Sequence, residues 1–372
     1  MTGMAEMLRK PGASVASTDD FDQVNDLIRS KGWGDGLPVV PPTAERVGQM
    51  LAYCDRPWDQ PIGTMAPRYG EATPLRLAAN AVMAGCRPEY FPLFLLAIDA
   101  MCEKAFNLYG VQATTHQCAP LVIVNGPVAK ELDINSGHNA FGPGWQANAT
   151  IGRAVRLSLL NIGGATPGIG DMSTFGSPQK YSYLVAENEE GNPWEPLHVE
   201  RGFPREASTV TVIGCEGPHN VNDHESQSGE GILMTIAGTL ATTGTNDIYY
   251  PESEPLIVFG PEHAATVARD GFSKADVRRF LFEHARQPIR RFSKENIARR
   301  WQVAFKDKYD TANLDTLVPS FDAPERLTIA VIGGAGKHSA VIPTFGGTQS
   351  VTRALKHCDG RLAASVQEFR KG

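Results

Sequence analysis

From Gly214 to Glu225 the chain reads Gly-Cys-Glu-Gly-Pro-His-Asn-Val-Asn-Asp-His-Glu, which puts His219, Asp223, His224 and Glu225 within seven residues. Imidazoles and carboxylates at that density suit proton exchange near neutral pH or ligation of a divalent metal. A structural turn requires neither. His219 and His224 are therefore candidate catalytic residues. His219, His224 and Asp223 are a candidate metal-ligand set that matches no established metal spacing, and Asn220 is a candidate substrate contact.

A second loop ends the same way. Gly333-Gly-Ala-Gly-Lys-His-Ser339 lacks the glycine that a phosphate-binding P-loop needs where Val331 stands, and the Ser or Thr it needs where His338 stands. What remains is a flexible, anion-friendly turn with Lys337 as a point charge, Ser339 as a donor and His338 as an acid or base. Asn135-Ser-Gly-His-Asn-Ala-Phe-Gly-Pro-Gly-Trp145 feeds a helix expected from about residue 147 to 161. His138 is a catalytic candidate there, and Asn139, Trp145 and Arg153 are substrate-binding candidates, because exposed N–H groups at a helix start welcome an anion. The acidic loop 186–198 adds Glu187 and His198 as acid/base candidates, and His116, ahead of the first strand, is a further substrate-binding candidate. His263, His284 and His357 fall in helical patterns and read as packing or surface residues.

These loops need elements to hold them. Thr18 and Asp19 precede apolar residues at helical spacing (Phe21, Val24, Leu27, Ile28), Thr43 and the pair Thr73-Pro74 are helix starts, and a further apolar helix is expected over 88–104. Between the first two helices, residues 33–43 combine three prolines and two glycines into a rigid extended loop. From residue 119 short β-branched runs, each ending at a glycine turn, alternate with helices; strands are expected at 121–124, 209–213, 256–259 and 327–332.

The runs match in pairs. Pro120-Leu-Val-Ile-Val-Asn-Gly-Pro127 resembles Pro255-Leu-Ile-Val-Phe-Gly-Pro261, and Thr211-Val-Ile-Gly-Cys-Glu-Gly-Pro-His219 aligns without a gap to Ala330-Val-Ile-Gly-Gly-Ala-Gly-Lys-His338. The fold expected is α/β, with duplicated βαβ-type units, mostly parallel strands, a pseudo-twofold axis and an N-terminal helical segment. The expected division is a flexible tail (1–18), a helical cap region (19–118), a first α/β unit (119–253) and a second (254–372). Ligands of such sheets bind outside the carboxyl ends of the strands, so His219 and His338 are expected to face one cleft.

The 372 residues are 42% hydrophobic and carry a net charge of -6, with no long Lys/Arg run, which argues against nucleic-acid or membrane-surface binding. The tail does not read as a leader and no apolar run spans a bilayer, so a cytoplasmic protein is expected, as a homo-oligomer. The six cysteines form no CxxC pair; Cys118 and Cys215 stand out because histidines lie beside them. No GxGxxG follows a strand with an acidic residue about 20 positions on, so no nucleotide cofactor is expected.

Four motifs, Trp33-Gly-Asp-Gly-Leu-Pro-Val-Val-Pro-Pro-Thr43, Phe106-Asn-Leu-Tyr-Gly-Val-Gln-Ala-Thr-Thr-His116, Ser136-Gly-His-Asn-Ala-Phe-Gly-Pro-Gly-Trp145 and Gly336-Lys-His-Ser339, resemble a bacterial family. Its members are neighbours or relatives of small proteins with a selenocysteine- or cysteine-Gly-Ser-Cys (UGSC) motif. The resemblance spans residues 19–353. This chain has no Cys-Gly-Ser-Cys of its own, so the resemblance implies that a small UGSC-type partner supplies the thiol or selenol while this chain binds substrate.

Three functions are expected from these residues. The first is an enzyme acting on a small anionic substrate by acid/base chemistry, as a hydratase, lyase or hydrolase, with or without a divalent metal ion. The second is the substrate-binding subunit of a two-component reductase. The third is a non-catalytic binding module.

Overall fold

The computed structural model describes residues 14–371; of the expected tail, residues 1–13 lie outside the described residues. Local signals set the helix starts: Thr43 and Thr73 act as the sequence leads one to expect, and the first helix is capped by Asp20 instead of Thr18 or Asp19. Asp20, Thr43 and Thr73 each accept a backbone N–H at the start of helices Phe21–Ser30, Ala44–Leu51 and Pro74–Ala84, and Gly85 ends the third at φ +88°. Helix Phe91–Met101 is apolar nearly all round and correspondingly buried. A two-strand hairpin, β1 (Thr64–Met65) with β2 (Gly70–Glu71), interrupts this helical region.

Eight further strands form two four-stranded sheets. The first contains β3 (Ala119–Asn125), β4 (Leu184–Ala186), β5 (Thr209–Cys215) and, from the end of the chain, β12 (Val351–Ala354). The second contains β6 (His219–Asn222), β7 (Leu256–Phe259), β10 (Thr328–Val331) and β11 (His338–Ile342). A short pair, β8 (Arg286–Pro288) with β9 (Leu317–Pro319), stands apart beside an aromatic cluster around Trp301.

Alternation along the strands builds four layers. Leu121 and Ile123 of β3, Ile213 and Cys215 of β5, Leu256 and Val258 of β7 and Ile342 of β11 meet between the sheets. Val122, Val124, Val210 and Val212 face the opposite way, onto the N-terminal helices and helix Gln146–Asn161. Ile257, Phe259, Ile329, Val331 and Val341 face helices Gly229–Leu240, Pro261–Arg269 and Lys274–His284. Residues 19–118 are thus one helical layer of the first sheet. Among the described residues no helix is long and apolar enough to cross a membrane.

The expectation of mostly parallel strands is corrected. Of the pairings in the two large sheets only β3/β4 and β7/β10 are parallel; β3/β5, β5/β12, β7/β11 and β6/β11 are antiparallel. The strands after β4 and β10 return antiparallel to β3 and β7, on the edge away from β4 and β10, which a βαβ reading of alternating elements overlooks. The sheets do share one pattern: the order β12-β5-β3-β4 repeats as β6-β11-β7-β10 with the same directions, and β6 and β12 each pair in the sheet of the other half. In that pattern β3 matches β7, as the sequence comparison has it. The segments ending in His219 and His338 do not match: β5 corresponds to β11, and β4 to β10.

Candidate functional site

His219 and His338 do not face one cleft. In the β6/β11 ladder His219 lies opposite Val341 and His338 opposite Asn222. Three strand positions therefore separate the two histidines, which places them on opposite faces and about 10 Å apart along the ladder. Asn220, opposite Ala340, is exposed on the same short strand.

The partner of His338 is His224. The chain turns after β6 and brings the two Nε2 atoms to 3.2 Å, with the rings nearly perpendicular (83°) and their centroids 4.9 Å apart. Both side chains are at the surface. The Lys337 ammonium donates to the His224 carbonyl at 3.0 Å, which ties the two loops together. Glu262, in the first turn of helix Pro261–Arg269, accepts the Gly336 N–H at 2.8 Å and fixes the glycine-rich loop at the carboxyl end of β10. Gly333 and Gly336 sit at φ +119° and +139°, backbone that L side chains rarely adopt.

His138 reaches the same shelf from the other sheet. Its ring packs on Gly334, where a Cβ would stand 2.3 Å from ring atoms, and the Gly333 N–H donates to the Ser136 carbonyl. His138 and His224 thus border the 333–338 loop, which itself carries Lys337 and His338.

Glu187 supports this shelf from beneath. It is buried, accepts from Asn125 Nδ2 (2.6 Å), the Leu197 N–H (2.7 Å) and Asn192 Nδ2 (2.9 Å), and burial raises its carboxyl above the usual range. Next to it Asn188 donates to the Gly333 carbonyl. The expected catalytic role for Glu187 gives way to a positioning one. His198 is fully buried beside it, with Nε2 against the Arg205 carbonyl.

Asp223 is not free to bind a metal. Its carboxylate accepts the Ser226 N–H and the Ser226 and Thr235 hydroxyls; burial would raise it, but these donors outweigh burial and hold it below its usual value. Among the described residues no group of three or more His, Cys, Asp or Glu is placed to hold a metal. Ser339 is buried and bonded to His263 Nδ1 at 2.9 Å, while His263 Nε2 lies 3.0 Å from the Asp223 carbonyl. A carbonyl only accepts, so Nε2 carries the proton and the Ser339 hydroxyl donates to Nδ1. Burial lowers the His263 pKa, which keeps the ring neutral.

The other expected contacts are structural. Arg153 forms a two-pronged pair with Asp35 (2.8 and 2.8 Å) and donates to the Leu37 and Pro38 carbonyls, clamping the 33–43 loop. Asn139 adopts φ +59° and donates to the Pro143 carbonyl, and Trp145 stands at the N-cap position of helix Gln146–Asn161 without a side-chain capping bond. These two shape the 135–145 loop.

His116 lies at the opposite end of the sandwich. Its Nε2 meets Glu216 Oε1 at 2.6 Å, its ring stacks on Phe345, and its Nδ1 is buried without a partner. Nearby, Arg156 and Lys180 converge on Asp171 at 3.1 and 2.8 Å around a cavity of about 10 Å³, room for one water molecule. Asp247 is fully buried there, with Oδ1 filled by Ser253 and Thr344 and Oδ2 unpartnered, and burial raises its pKa to about 6. Sequence reasoning missed Glu216, Asp171, Lys180 and Asp247. Local pattern carries no signal for them, since His116 and Glu216 are 100 positions apart.

The raised Asp247 pKa fixes a pH dependence. The folded state binds that proton more tightly than the unfolded chain, so the stability it confers is present at low pH and is lost as pH rises from about 4 to about 6. Replacing Asp247 by Asn is expected to remove this slope: relative to wild type, the variant gains about 3 kcal/mol between pH 4 and pH 7. Urea unfolding at both pH values measures it, and parallel pH profiles would contradict the assignment.

The two cysteines that stand beside histidines are not activated. Burial pushes Cys118 up to about 12 and Cys215 well above its ordinary value, so both remain thiols. All six cysteines are free. Comparison with protein families, curated proteins and solved structures finds no match to this chain.

Proposed function

We propose that the shelf at the strand ends, formed by the 333–338 loop with His138, His224 and His338, is the reactive site of an enzyme acting on a small anionic substrate, of the hydratase, lyase or hydrolase type. The observation that carries this reading is the His224–His338 contact of 3.2 Å. Two exposed imidazoles from segments 114 positions apart meet at the carboxyl ends of β7 and β10, where open α/β sheets place ligands. In this reading the imidazole pair carries the chemistry, Lys337 supplies the charge that attracts the anion, and His138 borders the substrate. The shared pattern of the two sheets supports an origin by duplication, with the last strand of each half exchanged.

The test is a turnover screen over small carboxylates and phosphate esters with the full chain. For a substrate so found, His224→Ala and His338→Ala are each expected to lower kcat/KM at least about 100-fold. Lys337→Ala is expected to act chiefly on KM. His224 and His338 are exposed and Lys337 is half-buried, all three in loops or at a strand end, so far-ultraviolet circular dichroism should be unchanged. Turnover that survives His338→Ala ends the proposal.

A second reading, the substrate-binding half of a thiol- or selenol-dependent pair, is favoured by one observation: burial holds Cys118 and Cys215 in the thiol form. Reactive sulfur or selenium would then come from another chain, and activity of the isolated chain would exclude this reading.

A further inference from the structure

The separation of the two Nε2 atoms says more than that the rings are close. A straight N–H···N bond of 3.2 Å would put the ring centres about 5.5 Å apart, because each ring adds about 1.1 Å along the same line. The centroids are 4.9 Å apart, so the contact is bent away from a straight N–H···N line, at the spacing of two rings that share one ion. An ion held about 2.05 Å from each nitrogen, the length of a zinc–imidazole bond, would see the pair at about 100°, close to the tetrahedral angle. The ring centres would then be about 5 Å apart.

We propose that His224 and His338 are the two protein ligands of a tetrahedral Zn²⁺ site whose remaining positions face solvent. Imidazole suits zinc among the divalent ions, and two open positions leave room for water and one oxygen of an anion. When bound, such an ion lowers the pKa of its water toward 7 and polarises the substrate oxygen. The chain's own part is to hold the two rings. Lys337 pins the His224 backbone, and pairing of His338 with Asn222 fixes the strand that carries the second ligand. This ligand set replaces the one expected from sequence spacing, because the Asp223 carboxylate is filled and His219 lies on the far face of the ladder. The chemical part of the inference rests on the shelf being the reactive site; the binding part does not.

The test is calorimetric titration of ZnCl₂ into the metal-stripped full chain near pH 7.5. Wild type and His219→Ala are expected to bind one ion per chain with the same affinity, and His224→Ala and His338→Ala each to lose at least about tenfold. Unchanged affinity in either His224→Ala or His338→Ala, or loss in His219→Ala, overturns the site. Turnover that needs both histidines in a protein that binds no Zn²⁺ overturns the metal and leaves the enzyme reading intact. Zn²⁺ bound as expected, with no turnover by the loaded protein, upholds the site and counts against the enzyme reading.

Discussion

Replacing Asp171 by alanine is expected to lower the stability of this protein by about 3 to 5 kcal/mol. Arg156 and Lys180 both rest on that carboxylate, and the side chains of the three are 12%, 11% and 4% exposed. Removing the acid leaves two cations in a place that water scarcely reaches, with Arg156 retaining only contacts to Gln112 Oε1 at 3.5 Å and the Ala165 carbonyl at 3.4 Å. Burial already lowers the Arg156 pKa, which measures how poorly solvated the guanidinium is. The cost comes from the uncompensated charge, not from the intrinsic value of the ion pair. Equilibrium urea unfolding reads it directly; a loss below about 1 kcal/mol would mean that solvent reaches both cations and that the pair is worth no more than a surface bridge.

Glu187→Ala is expected to cost about 3 to 5 kcal/mol as well, through hydrogen bonds. Asn125, Asn192 and the Leu197 N–H all donate to this one carboxylate, and each buried donor left without a partner costs about 1 to 3 kcal/mol. Asn125 keeps its contact to Glu189 and the half-buried Asn192 keeps the Glu195 carbonyl at 3.5 Å, which moderate the sum. The prediction separates two roles for a residue that the sequence marks as an acid/base candidate. The bonds are lost in Glu187→Ala whatever else the carboxylate does, so the stability loss reads its positioning role, and turnover by the variant that remains folded reads whether it also acts on substrate; Asn188 beside it holds the Gly333 carbonyl. Urea unfolding of Glu187→Ala together with its kcat/KM distinguishes them.

The local elements were legible because their causes are local. Thr43 and Thr73 mark helix starts through one side chain and the next few N–H groups. The β-branched runs at 119–125, 209–215, 256–259 and 328–331 mark strands because both faces of each are buried. The direction of neighbouring strands was not legible. A short run of Val and Ile ending in glycine reads the same whether its neighbour is parallel or antiparallel, and this is why β5 resembles β10 in sequence while β11 takes its place in the sheet.

The candidate site divides along the same line. By itself the sequence determined which loops are rich in imidazole, lysine and glycine, and so which segments, around His138, His219, His224 and His338, are candidates for a site. Only the tertiary structure decided which of these meet. The register of β6 on β11 sets His219 and His338 on opposite faces, since one strand position reverses a side chain's direction. The turn after β6 then carries His224 to His338 across 114 positions of sequence. Asp35 takes Arg153 out of any substrate site in the same way, from 118 positions away. Spacing along a chain fixes what one helix face or one turn can hold; it does not fix contacts between segments whose separation in space is set by packing of the whole.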